Sequence, residues 1–357
     1  MSDSILDDRT KIQELDASNV LGSIESLAKQ IEHAWSSRKE IQPSPKPITP
    51  NAIIFCGMGG SALGSRIIQS LYSQEIECPI EIVSDYRLPN YVDSNSLVIL
   101  SSYSGTTEET LSIAEDADAR TTSVAVITAG GRLAELAKEK NWPLFLIDPV
   151  HNPSNQPRMA IGYSVFGQLA LLSALGILEI TDQHVESLIQ MLNANAKQLS
   201  PENSHENTAK LLAFQALDRQ LLLISAEHLR GAVHVMNNQL NENSKNFTIE
   251  HAIPELNHHL MEGLRFPALL KDVTFALLFH SSLYHPRVST RFPLTADVLH
   301  QQQIPTETVQ AVATTPLEQV WEIIQLGAYL NLYLAILNGI DPAPIPWVDY
   351  FKSHLPN

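Results

Sequence analysis

The sequence predicts an α/β protein made of two halves, each a mainly parallel sheet flanked by helices in the doubly wound manner. Three observations carry this. Short apolar segments alternate with helix-forming ones from residue 52 onward. The alternation is interrupted by a polar, Asn-rich stretch at 181–210 and then resumes. A chain of 357 residues with 44% apolar composition can fill two cores. The expected organisation is a helical segment over 1–45, a first α/β subdomain over 46–180, a connecting helix and linker over 181–210, and a second subdomain over 211–357.

In chain order, Ile5, Ile12, Leu15, Leu21, Ile24, Leu27 and Ile31 recur at roughly helical spacing, and the proline cluster at 41–50 ends that region as a linker. AIIFCG (52–57), IEIVSD (80–85), SLVILSS (96–102), SVAVITAG (123–130) and PLFLID (143–148) read as buried strands. SALGSRIIQSLY and TEETLSIAEDADA between them read as helices, and a long apolar helix follows from Tyr163 to Leu178. In the second half, RQLLLISA (219–226), VTFALLFHS (273–281) and TETVQA (306–311) read as strands. A helix runs through NNQLNENSKN, and a terminal helix from Pro316 stops at Gly339, a C-cap residue.

Composition narrows the function. The formal charge is −16 (23 basic against 39 acidic residues), which argues against nucleic acid or an anionic membrane as partner. No run of 18 or more apolar residues is present, the acidic N-terminus lacks the apolar core of a secretory signal, and Cys56 and Cys78 are too few for a disulfide scaffold. A cytoplasmic protein is the expectation.

Two segments carry chemistry. CGMGGSALGS (56–65) follows a strand and opens a helix: glycines at 57, 59 and 60 expose backbone N–H groups, and Ser61 adds a hydroxyl where the helix dipole favours an anion. A dinucleotide loop would need glycine at Ala62; Asp85 could supply its acidic residue, which leaves a nicotinamide-dependent oxidoreductase as one alternative. SSYSGTTEETL (101–111) offers Ser102, Ser104, Thr106 and Thr107 at a second strand–helix junction, suited to a phosphate held by neutral donors. Two such loops at the carboxyl ends of neighbouring strands define a ligand crevice.

GMGGS and SYSGTTEET together resemble the sugar isomerase (SIS) domain that binds phosphosugars, and NQLNENSKN (238–246) with PELNHHL (254–260) resembles the bifunctional phosphoglucose/phosphomannose isomerase family. With QPR (156–158) and a lysine near the end, the resemblance spans nearly the whole chain. It implies two SIS subdomains of doubly wound, flavodoxin-like form. It implies phosphate contacts from Gly60, Ser61, Ser102, Ser104 and Thr107, Glu242 as catalytic base, His258 (with His259 as fallback) for ring opening, Arg158 beside the reacting carbons, and Lys352 closing the site. It also implies a homodimer in which the neighbouring subunit supplies the histidine, and neither metal nor cofactor. The implied reaction interconverts glucose 6-phosphate and fructose 6-phosphate through a cis-enediolate. Mannose 6-phosphate turnover is the further implication; Ala343 stands where the family often has a threonine connected with accepting that sugar.

The residue types suit that reaction. One carboxylate can take the C2 proton and return it at C1, a guanidinium can stabilise the enediolate, and histidine suits ring opening near neutral pH. His251, His258, His259 and Glu255 could instead gather a metal. A phosphosugar-sensing regulator is the other alternative, although it would need a basic DNA-binding attachment. Ile253, Leu256, Leu260, Met261 and Leu264 are expected to bury against another subunit.

Overall fold

The computed structural model describes residues 5–42, 48–120 and 123–355; the middle of the expected proline linker lies outside them. The chain forms two compact units, Glu25–Asn193, and Met1–Ile24 with Ala194–Asn357. The N-terminal helical segment is therefore divided between them, and the 181–210 stretch is largely the helix Asp182–Leu199.

The unit Glu25–Asn193 holds a five-stranded parallel sheet: β1 (Ile53–Cys56), β2 (Ile80–Val83), β3 (Leu97–Ser101), β4 (Ser123–Thr128) and β5 (Leu144–Leu146), in the order β2-β1-β3-β4-β5. All four pairings are parallel, with Ile53 to Cys56 registered against Leu97 to Leu100. The central strands β1 and β3 are buried along their whole length, which explains their unbroken apolar sequences. Helices Leu63–Tyr72, Glu108–Arg120, Gly131–Glu139 and Ile161–Ala174 complete the layers.

The other unit repeats the plan with β6 (Gln220–Ser225), β7 (Thr248–Ala252), β8 (Thr274–Ser281) and β9 (Thr306–Ala311), ordered β7-β6-β8-β9 and again all parallel. β7 is the strand that sequence patterning missed: it is a half-exposed edge strand, and TIEHA offers no apolar run. The fold class is thus α/β, with two parallel sheets flanked by helices, as expected.

One further reading is corrected. Residues 5–40 form helices Arg9–Leu15, Val20–Glu25 and Leu27–Ser37 rather than one, because Asp16 accepts from the Val20 and Leu21 N–H groups at 2.7 Å and restarts the chain there. The helix Pro316–Leu337 is long and apolar enough, by length and composition, to cross a membrane; 89% of its apolar window is buried inside the chain. It is a core helix, opened by the capping box of Thr315 and Glu318.

The N-terminal segment is tied to its unit through the buried Lys210. Its ammonium donates to Asp7 Oδ1 (2.5 Å), Pro201 O (2.7 Å) and Asn203 O (3.0 Å). Lys210→Ala strands these acceptors and should cost about 1–3 kcal/mol of stability. Urea unfolding checks this through a lowered midpoint; an unchanged midpoint would show that the tie carries no stability.

Candidate active site

In the sheet of Glu25–Asn193, strand order reverses between β1 and β3, the position at which open α/β sheets bind ligands. Both chemistry-bearing loops leave the sheet there. After β1 the chain makes a 3-10 turn, Gly59–Ala62, that runs into the helix Leu63–Tyr72; after β3 the hydroxyl-rich loop runs into the helix Glu108–Arg120. A small pocket lies between the starts of the two loops, its lining including Gly60, Ser61, Ser101, Tyr103, Pro157 and Ser164.

The loops are held to each other. Ser61 Oγ accepts from the Tyr103 N–H at 2.9 Å, and Ser101 Oγ donates to Ser61 O at 2.7 Å. Ser102, expected among the anion contacts, is buried, its Oγ 2.8 Å from Thr107 Oγ1 and accepting from the Gly105 N–H at 3.1 Å. It shapes the loop from within. The exposed hydroxyls are Ser104 and Thr106, with Thr106 Oγ1 donating to Ser104 Oγ at 3.1 Å.

Arg158 is drawn to the same place. The 3-10 turn Pro157–Met159 packs on the glycine loop so closely that a Cβ on Gly60 would lie 3.1 Å from the Arg158 nitrogen. The residue is only 2% exposed, and a guanidinium so desolvated attracts an anion more strongly than one in water. Arg158 Nη1 donates to Gln156 Oε1 (2.8 Å), while Asn152 Nδ2 holds Gln156 O (3.0 Å) and reaches the Tyr103 hydroxyl (3.4 Å). Tyr103 and Asn152 are not among the residues that the sequence reading names, whereas Gln156 opens its QPR motif. The polar run HNPSNQ between β5 and QPR was the signal available.

The second sheet has the same reversal, between β6 and β8, but fills it with its own groups. The Tyr284 hydroxyl accepts from the Ala226 N–H (3.2 Å) and donates to Phe279 O (3.0 Å), and the buried His228 pairs with Gln319 (2.9 Å). Burial pushes the His228 imidazole below its usual pKa.

The other expected residues belong to this second unit. Glu242 is the last residue of the helix Arg230–Glu242 and is half-buried. Its neighbours face opposite ways into structure. Asn241 Nδ2 donates to Asn237 O (2.9 Å) and Thr248 O (3.1 Å). Asn243 Nδ2 donates to Asn331 Oδ1 (2.7 Å), and Asn331 Nδ2 in turn reaches Gln239 Oε1 (3.2 Å). The two asparagines of NEN are anchors, and the carboxylate between them is carried on a fixed backbone. Lys245 Nζ continues the clamp, donating to Asn243 O (3.1 Å), Asp341 O (3.3 Å) and Pro342 O (3.1 Å), which ties the Ala343 loop to the NEN turn.

His258 ends the 3-10 turn Glu255–His258 and is exposed; Asn257 beside it is fixed by a bond to Thr295 Oγ1 at 2.8 Å. Lys352 lies exposed on the helix Pro346–His354. Glu242, His258 and Lys352 thus stand on three separate elements. His259 is exposed too, its ring centroid 6.0 Å from that of His251, whose pKa is lowered first by burial and then by His259. No three His, Cys, Asp or Glu side chains converge as metal ligands among the described residues. Ile253, Leu256 and Leu264, expected to bury against another subunit, are buried within their own chain, while Leu260 and Met261 are half-exposed. Large apolar exposure is found instead at Phe266 (70%) and Trp347 (81%).

The fold is of the SIS class, and residues 205–355 match the bacterial phospho-glucose isomerase C-terminal SIS domain. The chain is 32% identical over 339 residues to the bifunctional phosphoglucose/phosphomannose isomerase of Caldicellulosiruptor bescii, covering 93% of this chain and 98% of that protein. The enzyme of the same name from Aquifex aeolicus is 29% identical over 336 residues, covering 93% and 99%. This chain belongs to the bifunctional phosphoglucose/phosphomannose isomerase family. Among solved structures, tagatose-6-phosphate ketose/aldose isomerase from Escherichia coli shares the fold, with a TM-score of 0.64 at 16% identity and 93% of each chain covered.

The anion loop depends on Gly105, whose φ is +68° and whose Cβ, if present, would lie 1.8 Å from Gly130 O. Gly105→Ala must push these loops apart. With one or two hydrogen bonds to a charged group lost, at about 1.5–3 kcal/mol each, phosphosugar KM should rise at least about tenfold. Unchanged KM would remove the loop from the binding site.

Proposed function

We propose that the protein is an aldose–ketose isomerase interconverting glucose 6-phosphate and fructose 6-phosphate, and acting also on mannose 6-phosphate. Family membership supports the reaction class. One structural observation supports the assignment of the base: a half-buried carboxylate, Glu242, stands between two anchored asparagines at a helix C-terminus. A carboxylate in the last helical turn opposes the helix dipole by about 0.3–1 kcal/mol, so helix stability is not its reason for being there.

In this reading Gly60, Ser61, Ser104 and Thr107 hold the phosphate, with Ser102 shaping the loop from inside. Glu242 removes the C2 proton of the open-chain aldose and returns it at C1. The electron pair passes into a cis-enediolate, whose charge the buried Arg158 guanidinium stabilises. His258 moves the proton needed for ring opening, and Lys352 closes the site. The proton transfer requires a carboxylate and calls for no metal.

The reading includes a homodimer in which the partner contributes the histidine. It is supported by the exposed apolar side chains of the helix Pro346–His354, Trp347, Tyr350 and Phe351, which a second subunit would cover. A cytoplasmic setting fits a phosphorylated hexose substrate. Mannose 6-phosphate turnover is the slower activity, because the buried Ala343 offers no hydroxyl from the loop clamped to NEN.

Glu242→Gln keeps the shape and removes the base, so turnover of fructose 6-phosphate should fall about 10²–10⁴-fold. Thermal stabilisation by 6-phosphogluconate should persist, because the phosphate loops are intact. Retention of more than roughly a tenth of turnover would reject Glu242 as the base.

A further inference from the structure

We infer that Glu250, His234 and Asn238 form a positioning chain for Glu242; this deepens the proposed function and rests on Glu242 being the base. The His234 Nδ1 pairs with the Glu250 carboxylate across from the helix Arg230–Glu242 to the edge strand β7. Its Nε2 lies 3.1 Å from Asn238 Nδ2. The chemistry fixes the roles. An amide nitrogen can only donate, so Nε2 accepts and the ring proton is on Nδ1, donated to Glu250.

His234, Asn238 and Glu242 follow one another at intervals of four residues, so they share one ridge of the helix with Cβ atoms about 5–6 Å apart. Side chains on a helix lean toward its N-terminus, so the Glu242 carboxylate leans over Asn238. An amide with one N–H committed to His234 is held in a single rotamer. In the proposed chain its second N–H serves the carboxylate one turn above it. None of the three groups is buried, so none is needed to fill the core. At about 12 Å along the axis from Glu242, two helical turns away, His234 is too far to share a reacting carbon with it. His234 and Glu250 are therefore positioning residues, not catalytic ones.

The second tie between this helix and β7, from Asn241 to Thr248, fixes the backbone around Glu242. The Glu250–His234–Asn238 chain fixes the side chain.

The test is steady-state kinetics with fructose 6-phosphate. In His234→Ala, kcat should fall about 10- to 100-fold through misplacement of the base, while KM stays within about twofold because the phosphate loops are untouched. His234→Gln supplies a donor for Glu250 and an acceptor for Asn238, and should recover kcat to within about threefold of wild type. Glu250→Ala, a second variant independent of the ring, should follow His234→Ala. Wild-type kcat in His234→Ala, or an equal loss in His234→Gln, would overturn the chain even if Glu242→Gln is inactive. A Glu242→Gln enzyme that still turns over would overturn the base assignment beneath it. The two failures are thus distinguishable.

Discussion

The registered parallel pairing of β1 with β3 is the constraint on which the proposed anion site depends. Ile53 to Cys56 lie against Leu97 to Leu100, all eight fully buried, and a one-residue slip would turn every side chain to the other face. The register delivers Gly57 and Ser101 side by side at the strand ends, so close that a Cβ on Gly57 would fall 2.8 Å from Ser101 O. From that point both loops have little freedom. Ser61 and Ser101 bond loop to loop, while Ser102 and Thr107 bond to each other within the second loop. The buried Arg158 is held against the same loop through the space that Gly60 leaves open.

The second unit shows what happens to the same topology without that chemistry. Its strand order reverses in the same way, yet Tyr284 and His228 occupy the place with ordered hydrogen bonds. What this unit offers instead is a helix end. Asn241 and Asn243 bond outward to β7 and to Asn331, and Lys245 ties the following loop, so Glu242 is carried on a backbone fixed from both sides. Rigid support of this kind is what a proton-shuttling carboxylate requires, since its benefit depends on being correctly placed before the reaction begins.

Most of the fold was legible because the central strands are buried on both faces and read as continuous apolar runs. β7 was not, because an edge strand with TIEHA has neither an apolar run nor clean alternation. The division of the N-terminal helices at Asp16 depends on one side chain capping two amides, which periodicity cannot reveal. In the site, glycines and hydroxyls announced the anion loops, but not which hydroxyls face inward; Ser102 is spent on Thr107 and Gly105. Tyr103, Asn152, Gln156 and His234 act through contacts made only by the folded chain. The apolar stretch around PELNHHL looked like an interface, whereas Ile253, Leu256 and Leu264 fold into their own unit.

Proton transfer through Glu242 is the central claim, and solvent isotope exchange tests it most directly. Fructose 6-phosphate incubated with the enzyme in D₂O and followed by proton NMR should give glucose 6-phosphate carrying deuterium at C2, in competition with internal return of the original hydrogen. Glu242→Gln, still binding phosphosugar, should give none. Exchange or turnover by Glu242→Gln at the wild-type rate would contradict the account.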